Sequence, residues 1–363
     1  MKTLLKNLIV CNFILLTLSC DSIEKTDCLT ILVNSDTETS LALSEISEKI
    51  EAIELEVTDE SLIQKVSCVL YSPDLIIVQE WKSIMLFDNN GKFLRQIGSV
   101  GQGPGEYTGI SSIAADFDSK KIFIFSDDGK LLCYDFEGSF LRQSPTGYYS
   151  RTRNPYINYI DNKLFFLSEY FAIIKENDIK NQRFLFFVND DLLKTDSILV
   201  RQIDLSQFEI GYAPSYEYLT KEGYNTYLYY NVIVPTHIVS DTLYQISNNQ
   251  IIPHLNIKFN NRGLNSEGKK NIYIGNIYRS SRYVFTPYTY ITKGLNYFFC
   301  HDLKISESYN MKDGIMDDIY TKKKVIIRPV NNDSNKYYYL HTNIKDNEIN
   351  EPNPTLYIGL LKK

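Results

Sequence analysis

Leu75-Ile76-Ile77-Val78-Gln79, followed by Ile84-Met85-Leu86-Phe87-Asp88-Asn89-Asn90-Gly91-Lys92-Phe93-Leu94-Arg95-Gln96, is the stretch that decides the fold. A shift of 47 residues lays Asp74 to Gln96 on Lys121 to Gln143 without a gap. Ile122-Phe123-Ile124-Phe125 falls under the first strand, and Tyr134-Asp135-Phe136-Glu137-Gly138-Ser139-Phe140-Leu141-Arg142-Gln143 under the last hairpin. Each copy reads as apolar strand, turn, strand, Asn-Gly or Glu-Gly hairpin, strand. All-strand repeats of about 40 to 50 residues point to propeller blades.

The front of the chain reads differently. Lys2 and Lys6 precede an apolar run of 11 residues, Leu8 to Leu18, too short for a bilayer span of about 20. The run ends at Ser19-Cys20, a small residue before cysteine, as at lipoprotein cleavage sites. Residues 1–19 are therefore expected to be a lipoprotein signal peptide and Cys20 the lipidated N-terminus. Residues 20–49 are expected to form a tether with a short lead-in, and residues 50–363 the propeller. The lipid would hold the protein to a membrane of the cell envelope, with the outer membrane favoured.

Removing that segment leaves 36 basic against 44 acidic residues, a net charge of −8. No basic block is present, so a nucleic-acid partner is not expected. The 28 tyrosines and 19 phenylalanines fit pleated, half-buried surfaces. Besides Cys20, the mature chain has Cys28, Cys68, Cys133 and Cys300, too dispersed for a disulfide framework. Cys68 and Cys133 sit in apolar strands and read as free thiols.

Leu41 to Ile50 reads as a short helix, and Ala52 to Val57 as a strand able to close the ring against the last blade. Blade one covers about Val66 to Ile97, and blade two Ile110 to Arg142. Gly98 to Gly109 has five glycines and one proline but no Gly-Lys-Ser/Thr, and reads as a connector, not a phosphate cradle. Blade three is placed at Tyr156 to Val200 and an inserted loop at Gln202 to Asn225. Blade four is marked by Leu243, Ile246, Asn249 and Ile252, which match Ile84, Phe87, Asn90 and Phe93. Blade five follows at Ile272 to Ser308, and blade six at Ile315 to Tyr339 with Thr355 to Leu361. The length from Ile50, less the insertion, holds about six units of 47 residues. The expected fold is thus an all-β, six-bladed propeller of mostly four-stranded antiparallel blades, closed by an N-terminal strand.

The chain resembles the six-bladed β-propeller lipoproteins of gut-dwelling Gram-negative anaerobes, related to NHL-repeat propellers. The resemblance rests on Ile53 to Leu62, Phe87 to Phe93, Ile97-Gly98 leading to Gly101 through Tyr107, Ser240 to Ile246, and Asn353 to Ile358. It implies fold and envelope location. It implies no particular activity.

Some six-bladed propellers hold a catalytic metal on the axis, so a metal-assisted hydrolase or lyase is the alternative reading. Only four histidines are present, His237, His254, His301 and His341, and no spacing suggests a metal set or cofactor. No nucleophile motif appears. The pairs Asp127-Asp128 and Asp317-Asp318 read as turn residues. A non-catalytic binding face for a glycan, peptide or envelope protein is favoured, because stacking rings and planar polar side chains are the groups at hand. Its candidates are Trp81, Tyr149, Arg151, Arg153, Tyr216, Arg282 and Tyr288.

Overall fold

The computed structural model describes residues 28–175, 178–205, 217–232, 237–260, 263–330, 332–342 and 352–363. Cys20, Tyr216 and the signal segment lie outside these residues. The chain forms a six-bladed β-propeller.

Blade one consists of Cys68–Ser72, Leu75–Gln79, Ile84–Asp88 and Phe93–Gln96, paired antiparallel in that order. Blade two repeats it with Ile110–Asp116, Lys121–Ser126, Leu131–Asp135 and Phe140–Gln143. The repeat is structural to the residue: Gly91 and Gly138 occupy the same hairpin position, at φ 85° and 88°. Blade three has Arg153–Ile160, Lys163–Lys175, Asp178–Val188 and Lys194–Leu205. Blade four has Leu219–Glu222, Asn225–Leu228, Thr242–Ser247 and Gln250–Phe259. In blade five the inner strand is split into Ile272–Ile274 and Tyr278–Arg279, both on Tyr283–Tyr290; Leu295–Asp302 and Glu307–Lys312 follow. Blade six has Arg328–Val330, Asp333–His341 and Thr355–Leu361, and Ser47–Glu54 pairs with the last of these to close the ring.

The strands are apolar runs because each blade is covered on both sides. Ile76 and Val78 pack into a cluster with Tyr338, Leu356 and Ile358 of blade six, while Ile77 packs with Ile113, Ile122 and Ile124 of blade two. Alternate residues of one strand thus serve opposite interfaces. Among the described residues, the buried apolar side chains form six such clusters, one per blade junction. Full burial of each large side chain contributes about 1.5–3 kcal/mol.

Several sequence expectations need correction. Gln202 to Asn225 is not one loop: blade three's outer strand runs to Leu205 and blade four begins at Leu219. Ile315–Met316 belongs to a separate hairpin with Lys324–Val325, so blade six starts at Arg328. The helix shrinks to Leu43–Ile46, and the closing strand starts at Ser47 instead of Ala52. Part of the expected tether, Leu29–Val33, is a fifth strand parallel to Gln250–Phe259 on blade four. A parallel edge addition has no hairpin signature, so nothing local in the sequence announces it.

Antiparallel strands alternate in direction, so each outer strand ends on the face where the next inner strand begins. The hairpin between second and third strands lies on that same face, the connector face.

Candidate functional site

A cavity of about 510 Å³ opens between blades five and six and reaches the ring axis. Its walls come from the connector-face ends of strands: Tyr288 and Thr289 late in one strand, Asn296 and Tyr297 early in the next, and Tyr339, Leu340 and His341 at the end of a third. Lys324 to Pro329, leaving the short hairpin, form another wall.

The floor is polar and buried. Tyr338 donates its hydroxyl hydrogen to Glu217 Oε1 at 2.7 Å. Asn276 Nδ2 donates to the Glu217 carbonyl at 3.2 Å, while its own side-chain oxygen is buried without a hydrogen-bond partner among the described residues. Arg328 Nη1 reaches the Ser67 carbonyl at 3.4 Å. Cys68 of blade one, Tyr156 of blade three, Tyr278 of blade five and Tyr338 of blade six are all raised in pKa, by burial first and by the Glu217 carboxylate second. Arg328 is raised in turn by Tyr338 and Glu217. Glu217 and Arg328 thus share the axis with the Cys68 thiol and with tyrosine hydroxyls from blades three, five and six.

The walls supply aromatic faces. Tyr288 and Tyr297 stack with centroids 5.2 Å apart, and each hydroxyl is engaged, with Asn310 at 2.9 Å and Glu38 at 3.3 Å. Tyr339 stacks on Tyr357 at 4.6 Å and donates to Asp317 Oδ2 at 2.9 Å. Rings fixed in this way lose little entropy when a ligand packs on them. His341 lies at the rim 3.5 Å from Lys323; burial, then Lys323, lower its pKa.

Among the described residues, no three His, Cys, Asp or Glu side chains come together as a metal set. His254 lies against Tyr227 and Arg279, and His301 against Ser308. The aspartate pairs act in turns: Asp317 accepts from the backbone N–H of Ile319, Tyr320 and Thr321, and Asp127 from Ser111 and Trp81.

The candidates read from sequence do not converge. Tyr288 lines the cavity. Trp81 stands on the same face at the junction of blades one and two, 60% exposed, with its indole N–H on Asp127 Oδ2 at 2.8 Å. Arg151 is exposed in the connector to blade three, and Arg153 opens that blade's inner strand. Tyr149 is a core residue: fully buried between Phe125 and Phe166, it donates to the Leu192 carbonyl. Arg282 is on the opposite face, in a forked ion pair with Asp302 at 2.7 to 3.0 Å. Glu217, Arg328, Tyr338 and Asn276 were not foreseen. Each is a single polar residue on a different strand or connector, and only ring closure brings them together.

The family model described as Domain of unknown function (DUF4934) matches residues 28–357, which takes in every blade. The chain belongs to the DUF4934 family. A crystal structure of a Bacteroides fragilis NCTC 9343 protein, described as exported, is similar over 93% of this chain and 100% of that one, with a TM-score of 0.62 and 17% identity. At that identity the likeness concerns fold. The C-terminal WD40 domain of Sif2 has a TM-score of 0.40 and 9% identity over 81% of each chain. The Neurospora crassa Pan2 WD40 domain has 0.34 and 9% over 82% of this chain and 76% of that one. Neither of these two carries an argument. No curated protein matches the chain.

Proposed function

We propose that this DUF4934 propeller is a non-catalytic binding protein of the cell envelope, taking a glycan or peptide segment into the cavity between blades five and six. The observation that carries the reading is the cavity itself. Its volume of about 510 Å³ lies within the 300–1,000 Å³ typical of ligand pockets. Its aromatic walls and amide, hydroxyl and guanidinium floor suit a hydroxyl- or carboxylate-bearing ligand. Screening glycan and peptide libraries on the purified protein tests it, followed by calorimetry with Tyr297→Ala and Asn276→Ala. A hit that weakens at least tenfold in both variants is expected. A hit that both variants bind as tightly as the parent would place the ligand elsewhere and defeat the reading.

The envelope location draws on the Ser19-Cys20 sequence and on the exported description of the Bacteroides fragilis relative. In this reading the chain is an NHL-like propeller lipoprotein held at the outer membrane through lipidated Cys20. Metabolic labelling with an alkyne fatty acid should mark the parent and leave Cys20→Ser unmarked. Labelling that survives Cys20→Ser would remove the anchor from the proposal.

A further inference from the structure

Blade three carries a row of charges across all four strands. Arg153 pairs with Glu169, Glu169 with Arg183, and Arg183 with Arg201 as direct cross-strand neighbours. Directly opposed residues point to the same face of a sheet. The row turns toward blade four, where Tyr218 and Tyr230 place their rings 6.0 Å from the Arg183 guanidinium.

Among the described residues the charges do not balance. Glu169 Oε1 is shared by Arg183 Nη2 at 2.9 Å and Arg201 Nη2 at 3.3 Å, and Oε2 is taken by Asn154. The Arg183 side chain is 1% exposed and that of Arg201 10%. Arg201 has one further acceptor, Asn181 Oδ1 at 2.8 Å. Four nitrogens, Nε and Nη1 of each arginine, are buried without a hydrogen-bond partner among the described residues. A guanidinium does not deprotonate in a protein, so the site cannot relieve itself by losing a proton. Water would meet the hydrogen-bonding need and leave the charge. The tyrosine rings offset part of it. The positive potential extends further: burial first, then Arg201, lowers the Lys270 ammonium to about 8.

We infer that Arg183 and Arg201 form an oxyanion-binding site at the junction of blades three and four. The unpartnered Nε and Nη1 groups of two neighbouring guanidiniums suit the oxygens of a carboxylate, phosphate or sulfate, and one such anion brings the missing negative charge and acceptors together. The site is separate from the cavity between blades five and six and does not depend on its reading.

The test is thermal melting of the purified mature chain in sodium chloride, then with sodium phosphate, sulfate or acetate at matched ionic strength. In parallel, ion chromatography examines what the protein releases on denaturation. The expected result is a saturable rise of Tm with an oxyanion and none with chloride, or a stoichiometric oxyanion already bound. Phosphate or sulfate activity assigns a tetrahedral anion, and acetate activity alone assigns a carboxylate. Arg201→Gln removes one fork and one excess charge at the less buried end, and should abolish the response in a folded protein. A parent that releases no anion and responds to oxyanions no more than to chloride overturns the inference. So does an undiminished response in Arg201→Gln.

Discussion

Tyr338 and Glu217, 121 positions apart in the chain, meet across the axis in a buried hydrogen bond of 2.7 Å. The contact joins blade six to the connector that starts blade four. Removing the hydroxyl leaves the buried Glu217 carboxyl short of a donor, whereas Glu217→Gln keeps an acceptor for Tyr338 and takes away the counter-charge of Arg328. Tyr338→Phe should therefore cost about 1–3 kcal/mol, and Glu217→Gln at least as much. Urea denaturation of both variants and the double variant measures the coupling. Additive effects would mean that the two residues do not act as a pair.

Ring closure can be isolated by a matched pair of glycines. Gly91 and Gly138 hold the same hairpin position with the same left-handed φ, so alanine meets the same backbone strain in both, about 1–2 kcal/mol. Their surroundings differ. A Cβ on Gly91 would stand 2.0 Å from the carbonyl oxygen of Glu54 in the closing strand, whereas at Gly138 the nearest atom is 3.7 Å away. Glu56 N–H also bonds to the Gly91 carbonyl at 2.8 Å. Gly91→Ala should destabilise clearly more than Gly138→Ala, and proteolysis should cut the variant near Ser47–Glu54 first. Equal losses would show that the closing strand does not depend on this approach.

These two glycines also mark what the sequence makes legible. Gly91 and Gly138 could be aligned because the blade is a local unit, its strands paired through short hairpins and its apolar runs covered on both faces. The closing strand was foreseen because Ile53 and Leu55 alternate with acids, and its start was missed because Ser47 to Ile50 looks equally helical. The site was not legible, since Glu217, Arg328 and Tyr338 acquire meaning only once the ring places them on one axis. Tyr149 and Arg282 misled for the opposite reason: a tyrosine in a loop and an arginine in a turn look available until their partners, the Leu192 carbonyl and Asp302, are known. Arg153 stands out in the sequence as a single residue, while its row depends on strand register, which the sequence does not display.

The histidines set a pH dependence. His254 Nε2 lies 2.6 Å from Arg279 Nη1 and its ring lies on Tyr227; burial first, then Arg279, lowers its pKa to about 4. The unfolded chain protonates this residue near its ordinary value of about 6.5, so between those values it binds more protons unfolded than folded. Stability is thus complete above about pH 6.5 and falls as the pH drops toward 4. His301 and His341 are lowered too, by burial, and add to the same slope. Asp302 acts at lower pH: burial raises its carboxyl, but the hydrogen bonds from Arg282 and Lys304 outweigh it and hold the pKa below the ordinary value. Its contribution is present above the unfolded pKa and lost as the pH falls through the folded one. His254→Gln should flatten the urea midpoint between pH 7 and 5 without erasing the slope. A variant with the parent's slope would show that His254 does not carry it.

Lys194 poses a contest that magnitudes decide. Its ammonium lies 4.8 to 5.4 Å from the ring centroids of Tyr148, Tyr149, Tyr170 and Phe186, and donates to the Tyr170 hydroxyl at 3.1 Å. Burial lowers its pKa, so the charge is held at a cost. Cation–π attraction ranges from about 0.5 to 2 kcal/mol and increases as the site is desolvated. With four rings around one charge, attraction should exceed the burial cost. Lys194→Met keeps the length and fills the cage with a polarisable apolar group, so it tests the charge and not the packing. A loss of about 1–2 kcal/mol in urea denaturation is expected. A methionine variant as stable as the parent would show that the rings only compensate for desolvation and that the cage adds no net stability.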